Sequence, residues 1–433
     1  MKTVKIGLIG LGIVGGGVYE AIRDNGKMIS RRAGVSLEIA AVCDKDEKLL
    51  KKAAAGKSVL RTQSAGDVMK RKDIDVIVEL IGGVGAAKNI IISALRHKKH
   101  VVTANKALLS EHWKEIFSVA SENRMFVNFE ASVGGAIPII RAIRQSFVAN
   151  NIERIYGILN GTTNFILSSM SESGCSFNDA LKMAQEKGIA ESNPELDISG
   201  KDSAHKLAIL SLLGFGQDIS PADVYTEGIT GIKPEDINNA KRWGYSVKLL
   251  AIAKNDRGGL QLRVHPTLLK SSHILSDVRG ADNAVLVKGD LADESILFGK
   301  GAGREPTASS VVSDIVEIAK HIAFAGRENP VEYRLNYSPG KRNISRIEDL
   351  KVPFYLKFSV IDKPGVLASI SSILAKYRIS IATVAQEERR EGEAVPVIIL
   401  THVAKEGNMR EAIKKIDKME YITAKTVVLR IEE

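Results

Sequence analysis

The sequence predicts an α/β protein in three parts: a parallel sheet with helices on both faces, then an α+β unit, then a small ferredoxin-like unit. Three observations carry this expectation. Short runs rich in Val and Ile alternate with helical patterns over residues 4–129, that rhythm stops after Ala149, and residues 353–433 read βαββαβ. A chain of 433 residues suits two or three domains at ~150 residues each.

The first part takes residues 1–130. Strands are expected at 4–9, 37–43, 75–81, 100–103 and 125–129, with helices at 86–97 and 107–123 between them. Strands alternating with helices mean parallel crossovers and a sheet covered on both faces. Gly10-Leu11-Gly12-Ile13-Val14-Gly15 follows the first strand directly and runs into a helical pattern. In that context the first glycine permits a tight turn, the second lets main chain approach a pyrophosphate, and the third lets helix pack close to strand; helix N-terminal N–H groups then face the phosphates. The cofactor-binding candidates are therefore Gly10, Gly12, Ile13, Val14 and Gly15. Asp44, ending the second strand, reads as a ribose hydroxyl ligand or as a turn residue. Lys106 follows the fourth strand, at the carboxyl end of the sheet where ligands bind in such folds, although a lysine opening a helix is commonly solvent-facing.

The second part takes residues 131–328. Expected are a strand at 152–159, helices at 163–173 and 178–187, a Pro- and Gly-containing loop to Gly200, a helix at 201–213, strands at 245–253, 260–264 and 284–288, and a helix near 305–325 that returns to the first sheet. Asp202, Lys206, Ile209 and Leu213 fall on one face of the 201–213 helix, so a stripe apolar at one end is charged at the other. Periodicity reads Asp202 and Lys206 either as an exposed ion pair worth ~0.3 to 0.5 kcal/mol or as a cleft-facing ligand and proton-transfer group. Glu191 and Asp197 flank Pro194 just upstream and carry a turn reading as well. Glu130 precedes the glycine-containing segment 131–138, where a carboxylate and freed carbonyls can hold a hard cation or simply connect to a helix. No Ser/His/Asp order and no metalloenzyme motif is present.

Residues 329–352, with Pro330, Pro339, Gly340 and a basic cluster, have linker composition. The tail then reads as strand 354–361, turn 362–365, helix 366–377, strands 380–386 and 395–402, helix 408–419 and strand 423–431. A chain ending near Arg342 is thus expected to fold without it.

Composition narrows the function classes. Lys and Arg total 61 against 51 acids, a net +10, but the basic residues are scattered and aromatics are only 5%, which argues against nucleic acid. The apolar stretch 207–215 is about half the ~20 residues a membrane span needs. The start looks positive then apolar, yet six glycines interrupt residues 1–18 and no small-residue cleavage site follows, so a buried strand is expected rather than a leader. Cys43 and Cys175 are too few for a disulfide framework, and a cytoplasmic, reducing compartment is expected.

Taken together, 7–16, 103–106, 129–138, Asn160-Gly161-Thr162-Thr163-Asn164, 188–207 and Gly301-Ala302-Gly303-Arg304 resemble the homoserine dehydrogenase family over residues 1–330, and Ile361-Asp362-Lys363-Pro364-Gly365-Val366-Leu367-Ala368 resembles the first turn of ACT regulatory domains. The resemblance implies a Rossmann-type domain, a substrate and dimerisation domain and an ACT domain. It implies reversible hydride transfer between L-homoserine and L-aspartate 4-semialdehyde, with NAD or NADP, on the route to threonine, methionine and isoleucine. By that resemblance Lys206 and Lys106 transfer the proton, Glu191, Asp202 and Asp197 hold substrate, Gly188 and Gly303 line the cofactor, and Glu130 with the carbonyls of Val133, Gly135 and Ile137 holds sodium. Asp362, Gly365, Val366 and Leu367 would receive an effector, L-threonine being the natural guess, or the tail would only dimerise the chain into a homodimer or dimer of dimers. Many relatives carry a basic residue before the acid of strand two. This chain has Cys43 there, so Asp44 favours NAD while Lys45 or Lys57 supplies charge for NADP. A non-catalytic nucleotide sensor, or a dehydrogenase of another amino-acid alcohol, would dispense with the lysine pair or need a different loop.

Overall fold

The computed structural model describes residues 1–433 except 54–58, 257, 327, 329–342, 387–393 and 433. Most of the expected linker, and Lys57, lie outside the described residues. The chain forms two units: Met1–Ile152, His205–Ala222 and Asp282–Arg342 make one, and Glu153–Ala204, Asp223–Ala281 and Asn343–Glu433 the other. This division differs from the expected split after residue 130: residues 131–152, 205–222 and 282–300 fall in the first unit, along with the helix near 305–325 that was expected to return there.

The first unit is built on a six-stranded parallel sheet ordered Leu60–Thr62, Ser36–Cys43, Thr3–Ile9, Val76–Glu79, His100–Thr103, Val127–Asn128. The order reverses beside Thr3–Ile9, the position at which such sheets open a ligand crevice. Val4, Ile6 and Leu8 pack against helices Ile13–Ala33 and Arg304–Phe324 on one face. Ile9, Ile77 and Val101 pack against Gly85–Arg96 and Lys106–Asn123 on the other. Each such side chain contributes about 1.5–3 kcal/mol on burial, and burial on both faces explains why these strands are apolar runs and do not alternate. The helix expected near 305–325 lies against the first helix so tightly that a Cβ at Gly17 would meet Ala308 Cβ at 3.1 Å. Strand Leu60–Thr62 escapes the sequence reading, since three residues show no period. An antiparallel hairpin, Asp282–Gly289 with Asp293–Lys300, completes the unit.

The second unit carries one continuous sheet: Ile152–Ile158, Tyr245–Asp256, Gly259–Lys270, Ile422–Glu432, Phe354–Ile361, Ala394–Thr401, Ile381–Gln386, with Tyr225–Thr226 beside Gly259–Lys270. Residues 354–432 have the expected βαββαβ order and the 4-1-3-2 strand arrangement, with helices Val366–Lys376 and Glu406–Ile416 sharing their own apolar core. Their last strand does more than close that unit. It pairs antiparallel with Phe354–Ile361 and parallel with Gly259–Lys270, at Thr267 to Arg430 and Leu268 to Ile431. Buried charge reinforces the seam: Tyr156 Oη donates to Glu432 Oε1 at 2.6 Å, Glu432 pairs with Arg263, and Arg430 donates to Glu406 at 2.8 Å and to Glu227 at 2.8 Å. The tail thus shares its sheet with the rest of the second unit, where a separate unit was expected. Removing it would bare a strand edge and strand Arg263, 2% exposed, without its carboxylate.

Candidate active site

In the first unit the glycine fingerprint is explained position by position. Gly10 has φ +94°, and a Cβ on it would lie 2.6 Å from Leu80 O. A Cβ at Gly15 would strike Gly10 O at 1.9 Å, whereas nothing stands within 4 Å of one at Gly12. The open side is thus at the middle glycine, where helix Ile13–Ala33 starts with no side-chain cap and Ile13 is exposed, leaving N-terminal N–H groups and the helix dipole for an anion. A cleft of about 380 Å³ borders this loop, lined by Gly12, Gly16, Glu20, Arg23, Lys52 and Arg304. Arg304 Nη2 binds Glu20 Oε2 at 2.7 Å, and that guanidinium holds the Glu20 carboxyl below its usual range. Gly303, at φ +125°, precedes Arg304.

Asp44 makes the turn contacts expected of it. Its Oδ2 accepts from Leu11 N at 2.6 Å and its Oδ1 from Asp46 N at 2.9 Å, so it fastens the glycine loop to the end of strand two. Beside it Cys43 is buried, and burial, then Asp44, pushes its thiol up to about 11. It stays protonated at neutral pH.

Lys106 is the first residue of helix Lys106–Asn123, whose N-cap Asn105 accepts from Leu108 N at 3.1 Å. Also in this unit, Ser110 Oγ meets His205 Nδ1 at 3.3 Å, which fits a packing role for His205. Helix Lys201–Phe215 carries Asp202 and Lys206 one turn apart, at 2% and 8% exposure. That burial removes the exposed-pair reading.

Glu130 is held at its side chain and at its main chain. Its carboxylate oxygens accept from Ile140 N at 2.8 Å and Arg141 N at 2.9 Å, while its own N–H donates to Asp314 Oδ2 at 2.8 Å. Each carboxylate oxygen keeps a further lone pair beside its bond to a helix N–H, and burial raises the group's pKa. Gly135 O accepts from Ser310 Oγ at 2.7 Å and Ile137 O from Ile139 N at 2.8 Å, each retaining one lone pair. Among the described residues no cluster of three His, Cys, Asp or Glu has metal-binding geometry.

In the second unit the five-residue segment 160–164 finds its reason. Asn160 Nδ2 donates to Asp197 Oδ1 at 2.7 Å and to Asp202 Oδ2 at 2.9 Å, while Asn160 Oδ1 caps helix Gly161–Ser173 through Thr163 N at 2.8 Å. Asn164 Nδ2 donates to Val278 O at 3.1 Å and Gly280 O at 2.9 Å, and the buried Lys248 ammonium donates to the same Val278 carbonyl. Glu191 is exposed, and Gly188, at φ +67°, closes helix Phe177–Glu186. At the tail's turn Gly365 has φ +91°, Leu367 is 41% exposed and Val366 points into the core. Sequence reasoning missed the roles of Asn160, Glu79 and Lys248. An N-cap asparagine before a helix, and a lone acid ending the run Val76-Ile77-Val78, were the available signals.

Comparison with known proteins bears on the whole chain. The family profile described as homoserine dehydrogenase matches residues 138–316, that for homoserine dehydrogenase, NAD binding domain, residues 10–130, and that for the ACT domain residues 354–419. A homoserine dehydrogenase of Neisseria gonorrhoeae is 40% identical over 435 residues, covering 100% of this chain and 99% of its own. The crystal structure of a homoserine dehydrogenase from Thiobacillus denitrificans is 42% identical with a TM-score of 0.93, covering 100% of this chain and 99% of its own. A hyperthermophilic archaeal homoserine dehydrogenase mutant, solved in complex with NADPH, is 28% identical with a TM-score of 0.61 over 73% of this chain and 97% of its own. With a glycine loop open at Gly12, buried Asp202 and Lys206, and relatives matched end to end, the chain belongs to the homoserine dehydrogenase family.

Proposed function

We propose that this chain interconverts L-homoserine and L-aspartate 4-semialdehyde with Lys206 and Lys106 as the proton-transfer groups. The Gly10–Gly15 loop would hold the nicotinamide dinucleotide, which would supply the acceptor for a hydride from the carbinol carbon. A lysine in its neutral form takes the hydroxyl proton as the carbonyl forms, and the reverse reaction returns both. Asp202 and Asp197, oriented by Asn160, and Glu191 bind the substrate, with Glu191 giving its ammonium a charge-assisted partner. Gly188 and Gly303 line the cofactor. The burial of Asp202 and Lys206 is the observation that carries this reading, since a merely solvated pair would stay exposed.

A sodium ion would be held by the Glu130 carboxylate and the main-chain carbonyls of Val133, Gly135 and Ile137. The Asp362, Gly365, Val366 and Leu367 turn offers main-chain groups to an amino-acid effector, L-threonine first, and the working form is a cytoplasmic homodimer or dimer of dimers. One assay tests the core of this: absorbance at the reduced nicotinamide band on mixing the protein, NAD or NADP, and L-homoserine. Reduction with homoserine, and none with serine or threonine, is expected, and the same assay with L-threonine added reads the regulation. No reduction with either dinucleotide would leave a non-catalytic nucleotide sensor.

A further inference from the structure

Glu79 ends strand Val76–Glu79 at the ligand-facing edge of the parallel sheet and is 0% exposed. Leaving a carboxylate there is costly unless hydrogen bonds repay its desolvation. Its carboxylate bonds tie the end of the neighbouring strand His100–Thr103 to the loop that follows Glu79 itself. Oε2 accepts from Thr103 Oγ1 at 2.7 Å and Oε1 from Ile81 N at 2.9 Å. Thr103 Oγ1 in turn accepts from Asn105 N at 3.1 Å, and Asn105 Nδ2 donates to Gly83 O at 2.5 Å. Asn105 then caps the helix that Lys106 opens. On the other side, Leu80 N donates to Ile9 O at 2.8 Å, and Leu80 O is the atom that forbids a side chain at Gly10.

A continuous set of contacts within one unit thus runs from the glycine loop through Leu80, Glu79, Thr103 and Asn105 to Lys106. We infer that Glu79 is a positioning residue that fixes Lys106 relative to the cofactor loop, and this rests on the reading of Lys106 as a proton-transfer group. A packing residue here would be apolar like Val76, Ile77 and Val78. An acid that ties the end of strand His100–Thr103 to the loop after itself sets their spacing, and proton transfer is sensitive to that spacing: a misplacement of about 1 Å costs about 100-fold.

The test is a double-mutant cycle in the full chain with Glu79→Gln, Lys106→Ala and both together. Glu79→Gln is expected to lower kcat about 10- to 100-fold while the KM for homoserine and the dinucleotide Kd stay within about threefold. The double variant should be no slower than Lys106→Ala within about threefold. Should Glu79→Gln fold poorly, Thr103→Val cuts the same link and should repeat the pattern. A double variant slowed by the product of the two single losses, or a parallel decline of kcat, KM, Kd and Tm, overturns the inference while the Lys106 reading stands. Full turnover in Lys106→Ala removes that reading and the inference with it.

Discussion

The side-chain amide of Asn160 donates to Asp202 Oδ2 at 2.9 Å and, with its other hydrogen, reaches Asp197. One neutral group therefore sets two acids side by side while its oxygen caps a helix. Bonds to charged acceptors are worth about 1.5–3 kcal/mol each. Asn160→Ala is expected to raise the KM for homoserine roughly 10- to 100-fold and to cost about 1 kcal/mol of stability through the lost cap, with dinucleotide Kd unchanged. Steady-state kinetics beside a cofactor titration checks this; an equal loss for both ligands would make Asn160 structural only.

Glu191 is exposed in a polar loop, and its proposed task is one charge-assisted bond to the substrate ammonium. Glu191→Gln should raise the homoserine KM about 10- to 100-fold and leave both the dinucleotide Kd and Tm near the parent values.

The tail is expected to be needed for folding. Glu432 is the buried carboxylate shared by Arg263 and Tyr156, and it lies on the strand that covers the edge of Gly259–Lys270. Breaking a buried pair on one side costs about 3–5 kcal/mol. Glu432→Ala should therefore lower the denaturation free energy by that order, and a chain ending at residue 342 should be insoluble or unfolded by circular dichroism. A soluble, fully active truncation would show the seam to be dispensable.

Lys248 is buried, and burial, then Arg279, pulls its ammonium down to about 8. The unfolded chain keeps that proton to about 10.4. Between those values the unfolded state holds more protons, so this residue's contribution to stability rises with pH through the window. The stability of Lys248→Met relative to the parent should fall as pH goes from 7 to 10, measured by denaturant titration; a pH-independent difference would show that Lys248 titrates normally.

What the sequence revealed follows a physical divide. The glycine loop was readable because backbone constraints select residue type directly: Gly10 needs its positive φ, and Gly15 leaves no room for a Cβ. The βαββαβ tail was readable because each element has its own period. The second partner of strand Ile422–Glu432 was not, since choosing a strand partner is a long-range event that leaves no local trace. Asp202 and Lys206 were found by spacing, but only burial chose between their two readings. Glu130 was assigned by resemblance to a cation, and the structure turns its carboxylate to the N–H groups of Ile140 and Arg141. Hubs such as Asn160 and Glu79 depend on residues converging from separate elements, which no window along the chain contains.

The most direct measurement of the central claim is turnover of Lys206→Ala in the full chain, alongside its dinucleotide Kd and its circular dichroism. The proposed proton transfer predicts a loss of about 100- to 10,000-fold in kcat with fold and cofactor affinity retained. Turnover within a few-fold of the parent would contradict it and make Lys206 a buried packing residue.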